Sequence, residues 1–251
     1  MGDLDIKLTV ITPCFNAKQF ITSCIDNIID QHCTNIEHLI VDGGSSDGTI
    51  EIIKSYANKH PHICFISEPD KGQSDAMNKG INLAQGEYIS FLNADDTYTD
   101  GTLQFFLAYL ENSNPNFLCG NLNVFNENYE LLYISKPSRN NLQDIYFSHT
   151  YPINPSSYFY KKAIHNKIGL YKIDDHLTMD LDFFLRYINA YKCYTYIDQV
   201  FGNFYVSKET KTFQDREAGN MFRRKEELFK KYWKKNPFHF RALSILKNKL
   251  K

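Results

Sequence analysis

Apolar residues along the first hundred positions follow two alternating patterns, short continuous runs and longer stretches with helical spacing. The continuous runs KLTVITP, EHLIVDGG, HICFISEPD and EYISFLNADD each predict a strand that ends at proline, glycine or polar residues. Between them, AKQFITSCIDNIIDQ, DGTIEIIKSYANKH and SDAMNKGINLAQG predict helices, with Asp47 as a candidate N-cap of the second. This alternation predicts an α/β protein whose central sheet is mostly parallel, with helices on both faces.

The pattern becomes less regular after Gly101. NPNFLCGNLNVFN and ELLYISKP predict strands of a small antiparallel addition, and INPSSYFYKKAIHNKIGLY joins a strand to a helix. MDLDFFLRYINAY predicts a helix, YTYIDQVFGNFYVS predicts one or two strands, and the chain from Asp215 is predicted helical with a break near Asn236-Pro237. We therefore expect a domain at 1–213, with halves at 1–100 and 101–213, and a helical tail at 214–251.

Composition narrows the class of protein. The chain has 251 residues, of which 43% are hydrophobic and 23% charged, which is typical of a soluble globular protein. The six cysteines are scattered without a CxxC pair, which argues against a structural zinc site and fits a reducing compartment. We find no signal-peptide pattern and no apolar run of about 18 residues, so we expect a cytoplasmic protein without a spanning helix.

Charge is distributed unevenly along the chain. From Met221 to Lys251 there are 11 Lys or Arg residues against 2 Glu, a balance of +9. Because the whole chain has a net charge of −1, the remaining residues carry a net charge of about −10. The basic residues are interleaved with Phe, Tyr, Trp and Leu, which is typical of an amphipathic helix on an anionic membrane surface. The alternative is a helix docked on the acidic body. Nothing else in the chain indicates nucleic-acid binding.

Polar residues follow each of the first four predicted strands, as TPCFN, VDGGSSDG, SEPDKGQSD and NADD. Ligands of such sheets bind at the carboxyl ends of the strands. Ordinary turns also use Asp, Asn, Gly and Ser, so one such ending alone would not distinguish a turn from a site. Four endings at one edge of the sheet favour a binding site.

In this order, the strand ends resemble the inverting glycosyltransferases of the GT-A fold in the large family called family 2, from about Leu8 to about Ser207. TPCFN is similar to the family's opening Pro-x-aromatic-Asn, and VDGGSSDGT to its second-strand signature. EPDKGQSDAMNKG is similar to Asp-x-Gly-x-x-x-Ala-x-Asn-x-Gly, and NADD occupies the place of Asp-x-Asp. The segment PSSYFYKKAIHNKIGLYKIDDHLTMDLDFFLRY resembles enzymes of bacterial surface polysaccharides, of the colanic acid, O-antigen and capsule type.

The resemblance implies that 1–100 binds a nucleotide sugar, that 101–213 binds the acceptor, and that Mn²⁺ or Mg²⁺ assists. A departing diphosphate gains negative charge, which a cation held by carboxylates stabilises. Asp95 fills the second acidic place of the motif and is the expected direct ligand, with Asp96 as the second. Asp96 could instead cap a helix starting near Thr97. Asn93 stands in the first acidic place, where its amide could bond a ribose or a metal-bound water.

The resemblance also implies a set of donor-binding residues. Asp42 would accept the N3–H of uracil, and Asp70 would lie near the base or the ribose. Phe15 would line the base pocket or belong to the core, Lys71 could be only a solvated charge, and Gly72 would permit a close backbone approach. The full expected nucleotide-binding set is Pro13, Phe15, Asn16, Asp42, Asp70, Gly72, Asn93 and Ala94.

Two aspartates lie at the start of the predicted helix MDLDFFLRY. Asp180 matches the aspartate that serves as the catalytic base in the family, although Met179 stands where the family often has Glu. Asp182, two residues on, cannot share its helical face and is predicted to be a cap or a salt-bridge partner of Arg186. Both carboxylates could alternatively serve only to compensate the helix dipole. Attack assisted by a single base inverts the anomeric centre.

Further polar residues are weaker candidates, each with an ordinary structural alternative. They are Lys208 and Lys211 for the diphosphate, His149 and His176 for the metal, and Asn154, Ser156 and Ser157 for the acceptor.

These observations predict transfer from a nucleotide diphosphate sugar, a UDP-sugar in the first instance, to a saccharide or lipid-linked acceptor at the inner face of the cell membrane. One alternative is a nucleotidyltransferase that makes the nucleotide sugar, but TPCFNAKQF lacks the Gly-rich basic loop that a triphosphate needs. Another is a non-catalytic nucleotide-sugar-binding subunit, which Asn93 alone supports. A dehydrogenase is disfavoured because no GxGxxG follows the first strand.

Overall fold

A computed structural model describes residues 6–137, 145, 150–175, 178–206 and 220–233. Within this part of the chain, nine strands form one sheet. The strands are β1 Leu8–Cys14, β2 Ile36–Asp42, β3 Ile63–Ser67, β4 Tyr88–Phe91, β5 Thr97–Tyr98, β6 Phe117–Asn126, β7 Leu131–Ser135, β8 Tyr158–Lys161 and β9 Thr195–Val206.

The sheet has the order β3-β2-β1-β4-β8-β6-β9-β5, and β7 pairs with β6. The first four strands in this order are parallel neighbours, as the strand–helix alternation predicted. β8 runs antiparallel between β4 and β6, β9 is parallel to β6, and β6 and β7 form an antiparallel pair. The predicted fold class is therefore confirmed.

Helices cover both faces of the sheet. They are α1 Ile21–Ile29, α2 Thr49–Ala57, α3 Gln73–Leu83, α4 Thr102–Glu111, α5 His165–Ile168, α6 Met179–Tyr191 and α7 Asn220–Trp233. Side chains alternate along a strand, so Leu8 and Val10 of β1 pack in the cluster that holds α1 and α4. Ile11 points to the other face, where α3 and α6 lie. The residue before α2 is Gly48, and Asp47 Oδ1 accepts the N–H of Thr49 at 3.0 Å.

Two elements near the NADD motif differ from the prediction. The helix expected to start near Thr97 is wrong, because Thr97–Tyr98 is a strand that pairs with β9 through Thr97 and Asn203. The helix begins only at Thr102, directly after Gly101, whose φ of 76° suits a glycine. Asp96 therefore precedes a strand and does not cap a helix.

Close packing of α3 on β1 fixes where the site begins. A side chain at Gly80 would bring its Cβ to 2.5 Å from Ile11 Cγ2, so only glycine allows α3 to lie this near the sheet. The first residue of α3, Gln73, consequently lies at the carboxyl edge of the parallel strands, where it contacts the residues after β4.

The described part of the predicted tail belongs to the body of the protein. Phe229 and Tyr232 of α7 are buried in the same apolar cluster as α6. Residues 234–251 lie outside the described residues. Among the described helices, none has both the length and the apolar character needed to cross a membrane.

Candidate active site

Side-chain hydrogen bonds join the ends of separate elements at one edge of the sheet. Gln73 Nε2, at the start of α3, donates to Asn93 Oδ1 at 2.8 Å, directly after β4. Asn154 Nδ2, ahead of β8, donates to Asp96 Oδ2 at 2.8 Å. The hydroxyl of Ser74 lies 2.9 Å from Met179 Sδ, which ties the start of α3 to the start of α6. The second half of the chain thus contributes to the same edge as the first.

Phe15 and Asp70 flank a bare stretch of backbone at Gly43. The Phe15 ring is 63% exposed, so it is not a core residue, although one alternative placed it there. A Cβ on Gly43 would lie 3.4 Å from Phe15 Cδ2 and 2.5 Å from Asp70 Oδ2. An exposed ring beside a carboxylate can stack on a flat heterocycle and accept its N–H. The sequence analysis missed Gly43, whose signal was the second-strand motif VDGG.

Pro13 and Asn16, at the end of β1, shape the corner that is formed by Phe15, Gly43 and Asp70. Pro13 is buried in the strand and is paired with Val41 of β2. Asn16 has a φ of 49° and accepts the N–H of Ser46 at 3.0 Å through Oδ1, while its own N–H donates to Ser45 Oγ at 2.7 Å. Asn16 therefore holds the loop after β1 against the loop after β2.

The Asp42 carboxylate accepts hydrogen bonds from the turn that follows β2. Its Oδ2 accepts the N–H groups of Gly44 and Ser45 at 3.1 and 3.0 Å and the hydroxyl of Ser67 at 2.6 Å, and its Oδ1 accepts the Ser45 hydroxyl. Burial alone would raise the pKa of Asp42, but these hydrogen bonds hold it below the usual range. Asp42 is also fully buried, so in this structure its carboxylate is not exposed to a uracil N3–H.

The turn between β3 and α3 carries Asp70 and Gly72. Asp70 Oδ1 accepts the N–H of Gly72 at 2.7 Å. Gly72 has a φ of 106°, which favours glycine and lets the chain turn into α3. Lys71 is exposed. Asp70 Oδ2 faces Gly43, so Asp70 presents a more open carboxylate to the corner than Asp42 does.

The surroundings of the two carboxylates of NADD disfavour their charged forms. Asp96 is 1% exposed, and its Oδ1 is buried without a hydrogen-bond partner among the described residues. Burial and the neighbouring Asp95 raise the pKa of Asp96 well above its usual range, and burial raises the pKa of the partly buried Asp95. A divalent cation would offset both the loss of solvation and the repulsion between the two carboxylates, so this pair fits a metal. Ala94, between Asn93 and Asp95, packs against the cluster that holds α1 and α2.

The described residues contain no group of three His, Cys, Asp or Glu side chains suited to a metal ion. Two protein carboxylates are nevertheless a normal number for Mg²⁺, which completes its shell with phosphate and water. The candidate third ligands His149 and His176, and the candidate phosphate ligands Lys208 and Lys211, lie outside the described residues.

Asn93 has a defined role in the first acidic place of the motif. Its Oδ1 accepts from Gln73, and its Nδ2 donates to Asp96 Oδ2 at 2.9 Å. Asn154 donates to the same oxygen, so two amides hold the buried carboxylate. An aspartate at position 93 could not donate to Asp96.

Ser156 and Ser157 do not face an acceptor, so that prediction is wrong for both. Both are buried, and their hydroxyls donate to the side-chain and backbone oxygens of Asn154 at 2.7 and 2.8 Å. They brace the turn that holds Asn154 against Asp96. The sequence could not distinguish these roles, because a buried and an exposed serine give the same local pattern.

Asp180 lies in the first turn of α6 and is partly exposed. Burial raises its pKa to about 7, the Tyr158 hydroxyl at 3.5 Å from Oδ1 opposes the shift, and the charge of Asp175 adds to it. A carboxylate with a pKa near 7 can exchange a proton at neutral pH. Met179, in the family's Glu position, contributes a thioether contact to Ser74 in place of a second charge.

Asp182 has the role predicted for it, as a salt-bridge partner of Arg186. Arg186 Nε lies 2.7 Å from Asp182 Oδ2, and Lys172 and the Tyr232 hydroxyl contact Oδ1, the latter at 2.9 Å. Burial would raise the pKa of Asp182, but Lys172 and Arg186 hold it below the usual range. Asp182 is therefore an anchor for α6.

The asparagine of the DAMNKG stretch also has a structural role that the sequence analysis missed. Asn78 accepts the N–H of Tyr171 and donates to its carbonyl oxygen, both at 2.9 Å. This pair clamps the segment ahead of α6 onto α3. The signal in the sequence was the Asn of the Asp-x-Gly-x-x-x-Ala-x-Asn-x-Gly motif.

Comparison with known proteins agrees with this geometry. The sequence profile of Glycosyl transferase family 2 matches residues 9–169. The PGL/p-HBAD biosynthesis glycosyltransferase of Mycobacterium bovis is 30% identical over 181 residues, which cover 71% of this chain and 68% of that protein. The uncharacterized glycosyltransferase YibD of Escherichia coli is 40% identical over 90 residues, but these cover 36% of this chain and 26% of YibD.

Solved structures share the fold at low sequence identity. S. aureus TarS 1–349 in complex with UDP-GlcNAc has a TM-score of 0.64 at 21% identity, covering 83% of this chain and 60% of that one. The mannosyltransferase PcManGT of Pyrobaculum calidifontis, in complex with GDP-Man and Mn²⁺, has a TM-score of 0.58 at 20% identity, covering 84% and 59%. The sheet, the site edge and the profile match together show that the chain is a member of glycosyl transferase family 2 with a GT-A-like fold.

Proposed function

We propose that the protein transfers a sugar from a nucleotide diphosphate sugar, a UDP-sugar in the first instance, to a saccharide or lipid-linked saccharide with inversion. One observation carries the proposal. A single edge of the sheet joins an exposed ring beside a carboxylate, a carboxylate pair without a cation partner among the described residues, and Asp180 with a pKa of about 7. These are the three parts that such a transfer needs.

The donor nucleotide would bind at the corner formed by Phe15, Gly43 and Asp70. The Phe15 ring would stack on the base, and Asp70 Oδ2 would accept an N–H from its edge. Asp42 would contribute mainly by fixing the turn that presents Gly43. The other members of the proposed nucleotide-binding set are Pro13, Asn16, Gly72, Asn93 and Ala94, with Lys208 or Lys211 as candidate diphosphate contacts.

Asp95 and Asp96 would hold Mn²⁺ or Mg²⁺, with Asp95 as the more accessible ligand. Such a cation, when bound, neutralises the charge that develops on the leaving diphosphate. Asn93 and Asn154 both donate to Asp96 Oδ2, which leaves Oδ1 as the oxygen without a partner in the described part of the chain. The Mn²⁺ named with PcManGT supports a metal in this type of fold.

Asp180 would act as the general base. As the acceptor oxygen bonds to the anomeric carbon, its proton passes to the Asp180 carboxylate, and the bond from that carbon to the diphosphate oxygen breaks. One displacement with one base inverts the anomeric centre. The transition state resembles an oxocarbenium ion, so no second nucleophilic carboxylate is needed.

The acceptor would be a bacterial surface saccharide under assembly at the inner face of the membrane. The name of a Borreliella burgdorferi relative, a cholesterol galactosyltransferase 29% identical over 119 residues, supports a lipid acceptor. The basic residues of 214–251 would contribute the attraction to anionic lipid.

Calorimetric titration with UDP and GDP, each with Mn²⁺ and with EDTA, tests the donor part of the proposal. We expect Mn²⁺-dependent binding of UDP, weakened in Phe15→Ala and unchanged in the control Phe20→Ala, an exposed phenylalanine outside the corner. Preference for GDP would change the donor class. Binding of UDP without transfer to any acceptor would favour the non-catalytic binding subunit, and release of diphosphate from a nucleoside triphosphate would favour the nucleotidyltransferase.

A further inference from the structure

The helix α7 contacts the protein on both sides of Asp180. Ahead of Asp180 in sequence, Arg224 Nη1 lies 3.3 Å from Asp175 Oδ1. Behind it, the hydroxyl of Tyr232 donates to Asp182 Oδ1 at 2.9 Å. Between these contacts, Lys225 Nζ lies 5.7 Å from the centre of the Tyr151 ring. A helix from the end of the chain thus grips the first turn of α6 at two carboxylates.

Asp175 fixes the position of the first turn of α6. Its carboxylate accepts the N–H and the hydroxyl of Thr178 at 2.9 and 2.7 Å, which fixes the entry into α6. Its backbone oxygen lies 3.3 Å from the Ser74 hydroxyl at the start of α3. Arg224 therefore holds the carboxylate on which the start of α6 is built.

Asp175 also influences the charge of Asp180. Among the residues that the structure describes, the titratable groups that interact with Asp180 are Asp175, Tyr151, Tyr158, Tyr160 and Tyr171. Burial raises the pKa of each tyrosine, so all four are neutral near pH 7. Asp175 supplies the negative charge in this group, and Arg224 from α7 offsets part of it.

We propose that Arg224 and Tyr232 are positioning residues for Asp180, so that docking of the C-terminal helix sets both the place and the charge environment of the catalytic base. This inference rests on the proposed function of Asp180. It gives the described part of the basic tail a role inside the active centre, in addition to any contact of 234–251 with a membrane. Displacing α7 would then reduce transfer without removing a group that touches the substrate.

The pH dependence of kcat/KM in the full chain, measured with saturating Mn²⁺, distinguishes positioning from simple support of the fold. In Arg224→Met, we expect the acid limb to move to higher pH by about 0.3 to 0.5 unit, because Asp175 loses its cation. Arg224→Lys should restore the wild-type limb. Arg223→Met is the matched control, since it removes the same charge from an exposed neighbouring position of α7 and should leave the limb in place.

Tyr232→Phe tests the second contact without emptying the core around the ring. We expect kcat to fall about threefold to tenfold at an unchanged KM for the donor, because α7 loses one of its contacts with Asp182 while Asp182 keeps its ion pairs with Lys172, Arg186 and Lys231. Equal limb shifts in Arg224→Met and Arg223→Met, or wild-type kcat in Tyr232→Phe, would overturn the inference. Full activity in Asp180→Asn would overturn the proposed base as well, so the two failures are distinguishable.

Discussion

Asp96 and Asp182 are buried to the same degree, yet their pKa values are shifted in opposite directions. Each is 1% exposed and lies near a second aspartate that is more accessible, Asp95 in one case and Asp180 in the other. Burial and a neighbouring carboxylate raise the pKa of Asp96. Burial pushes the pKa of Asp182 in the same direction, but Lys172 and Arg186 reverse the shift. The charge of the partners, not the depth of burial, decides the ionisation of a buried carboxylate.

The difference separates a structural carboxylate from one that fits a ligand. Asp182 finds its cations within the described chain, on the loop before α6, on α6 itself and on α7. Asp96 has two neutral amides and one oxygen without a partner among the described residues. A fold that keeps such a costly group is expected to use it, and a divalent cation with a diphosphate is the ligand that its position favours.

Removing the base should have the largest effect on activity. Asp180→Asn is expected to reduce kcat at least about 10³-fold, because the amide cannot take the acceptor proton. The affinity for UDP with Mn²⁺ should stay near wild type, as measured by titration calorimetry. The melting temperature at pH 8 should not fall, since the carboxylate is costly there. A loss of UDP affinity in place of kcat would assign Asp180 to donor binding.

Matched amide substitutions test the comparison of the two buried aspartates directly. Asp182→Asn should lower the free energy of unfolding at pH 7 by about 3 kcal/mol, because Lys172, Arg186 and Lys231 lose their counter-charge. The deficit should shrink on acidification, as the pH falls through the lowered pKa of Asp182 and wild type loses the same charge. Asp96→Asn, measured by urea denaturation in EDTA, should be neutral or stabilising. Equal destabilisation by both would contradict our account.

The sequence predicted those features that depend on local spacing. The pair Asp182 and Arg186 lies four residues apart in a recognisable helix, so their contact follows from helix geometry. The strands β1 to β4 were predictable because each is a buried apolar run followed by turn residues. The start of the helix α4 was placed too early, near Thr97, because the two residues of β5 are too few to give a pattern.

Features that depend on tertiary packing were not predictable. The exposure of Phe15 and the occupation of Asp42 by Ser45 and Ser67 depend on which loops meet, and local sequence does not specify this. The docking of α7 is a further example. The uneven charge drew attention to the tail, but only the fold shows that Arg224 contacts Asp175.

Asp95, the more accessible member of the first pair, should control the metal dependence of donor binding. Asp95→Ala is expected to weaken UDP binding about tenfold or more in Mn²⁺ and to leave binding in EDTA unchanged, because a ligand matters only when its metal is present. Titration calorimetry in both buffers measures the two affinities. Asp100→Ala, an exposed aspartate beyond the motif, is the control. Equal weakening with and without Mn²⁺ would remove Asp95 from the metal site.

Asp180, the more accessible member of the second pair, should give activity an acid limb near neutrality. Below about pH 7 the Asp180 carboxyl becomes protonated, so kcat/KM should fall about tenfold for each further pH unit. A profile of kcat/KM for the donor from pH 5 to 9, with Mn²⁺ held saturating, measures the limb. Asp175→Asn should move it to lower pH, since a negative charge near Asp180 is removed. A limb near pH 4 would mean that burial does not raise the pKa of Asp180 in the working enzyme.

The smallest expected effect, and the closest test of the first pair, comes from restoring an acid at position 93. Asn93→Asp removes one N–H from Asp96 and adds a third carboxylate to the motif, so it should lower stability in EDTA but tighten Mn²⁺ binding severalfold. Asn154→Asp is the matched control, because it removes the other N–H from the same oxygen but lies outside the motif. We expect it to lower stability similarly without the same gain in Mn²⁺ affinity. If neither variant binds Mn²⁺ more tightly than wild type, the amide at 93 serves the buried network alone, and the charge of the first acidic place does not limit metal binding in this protein.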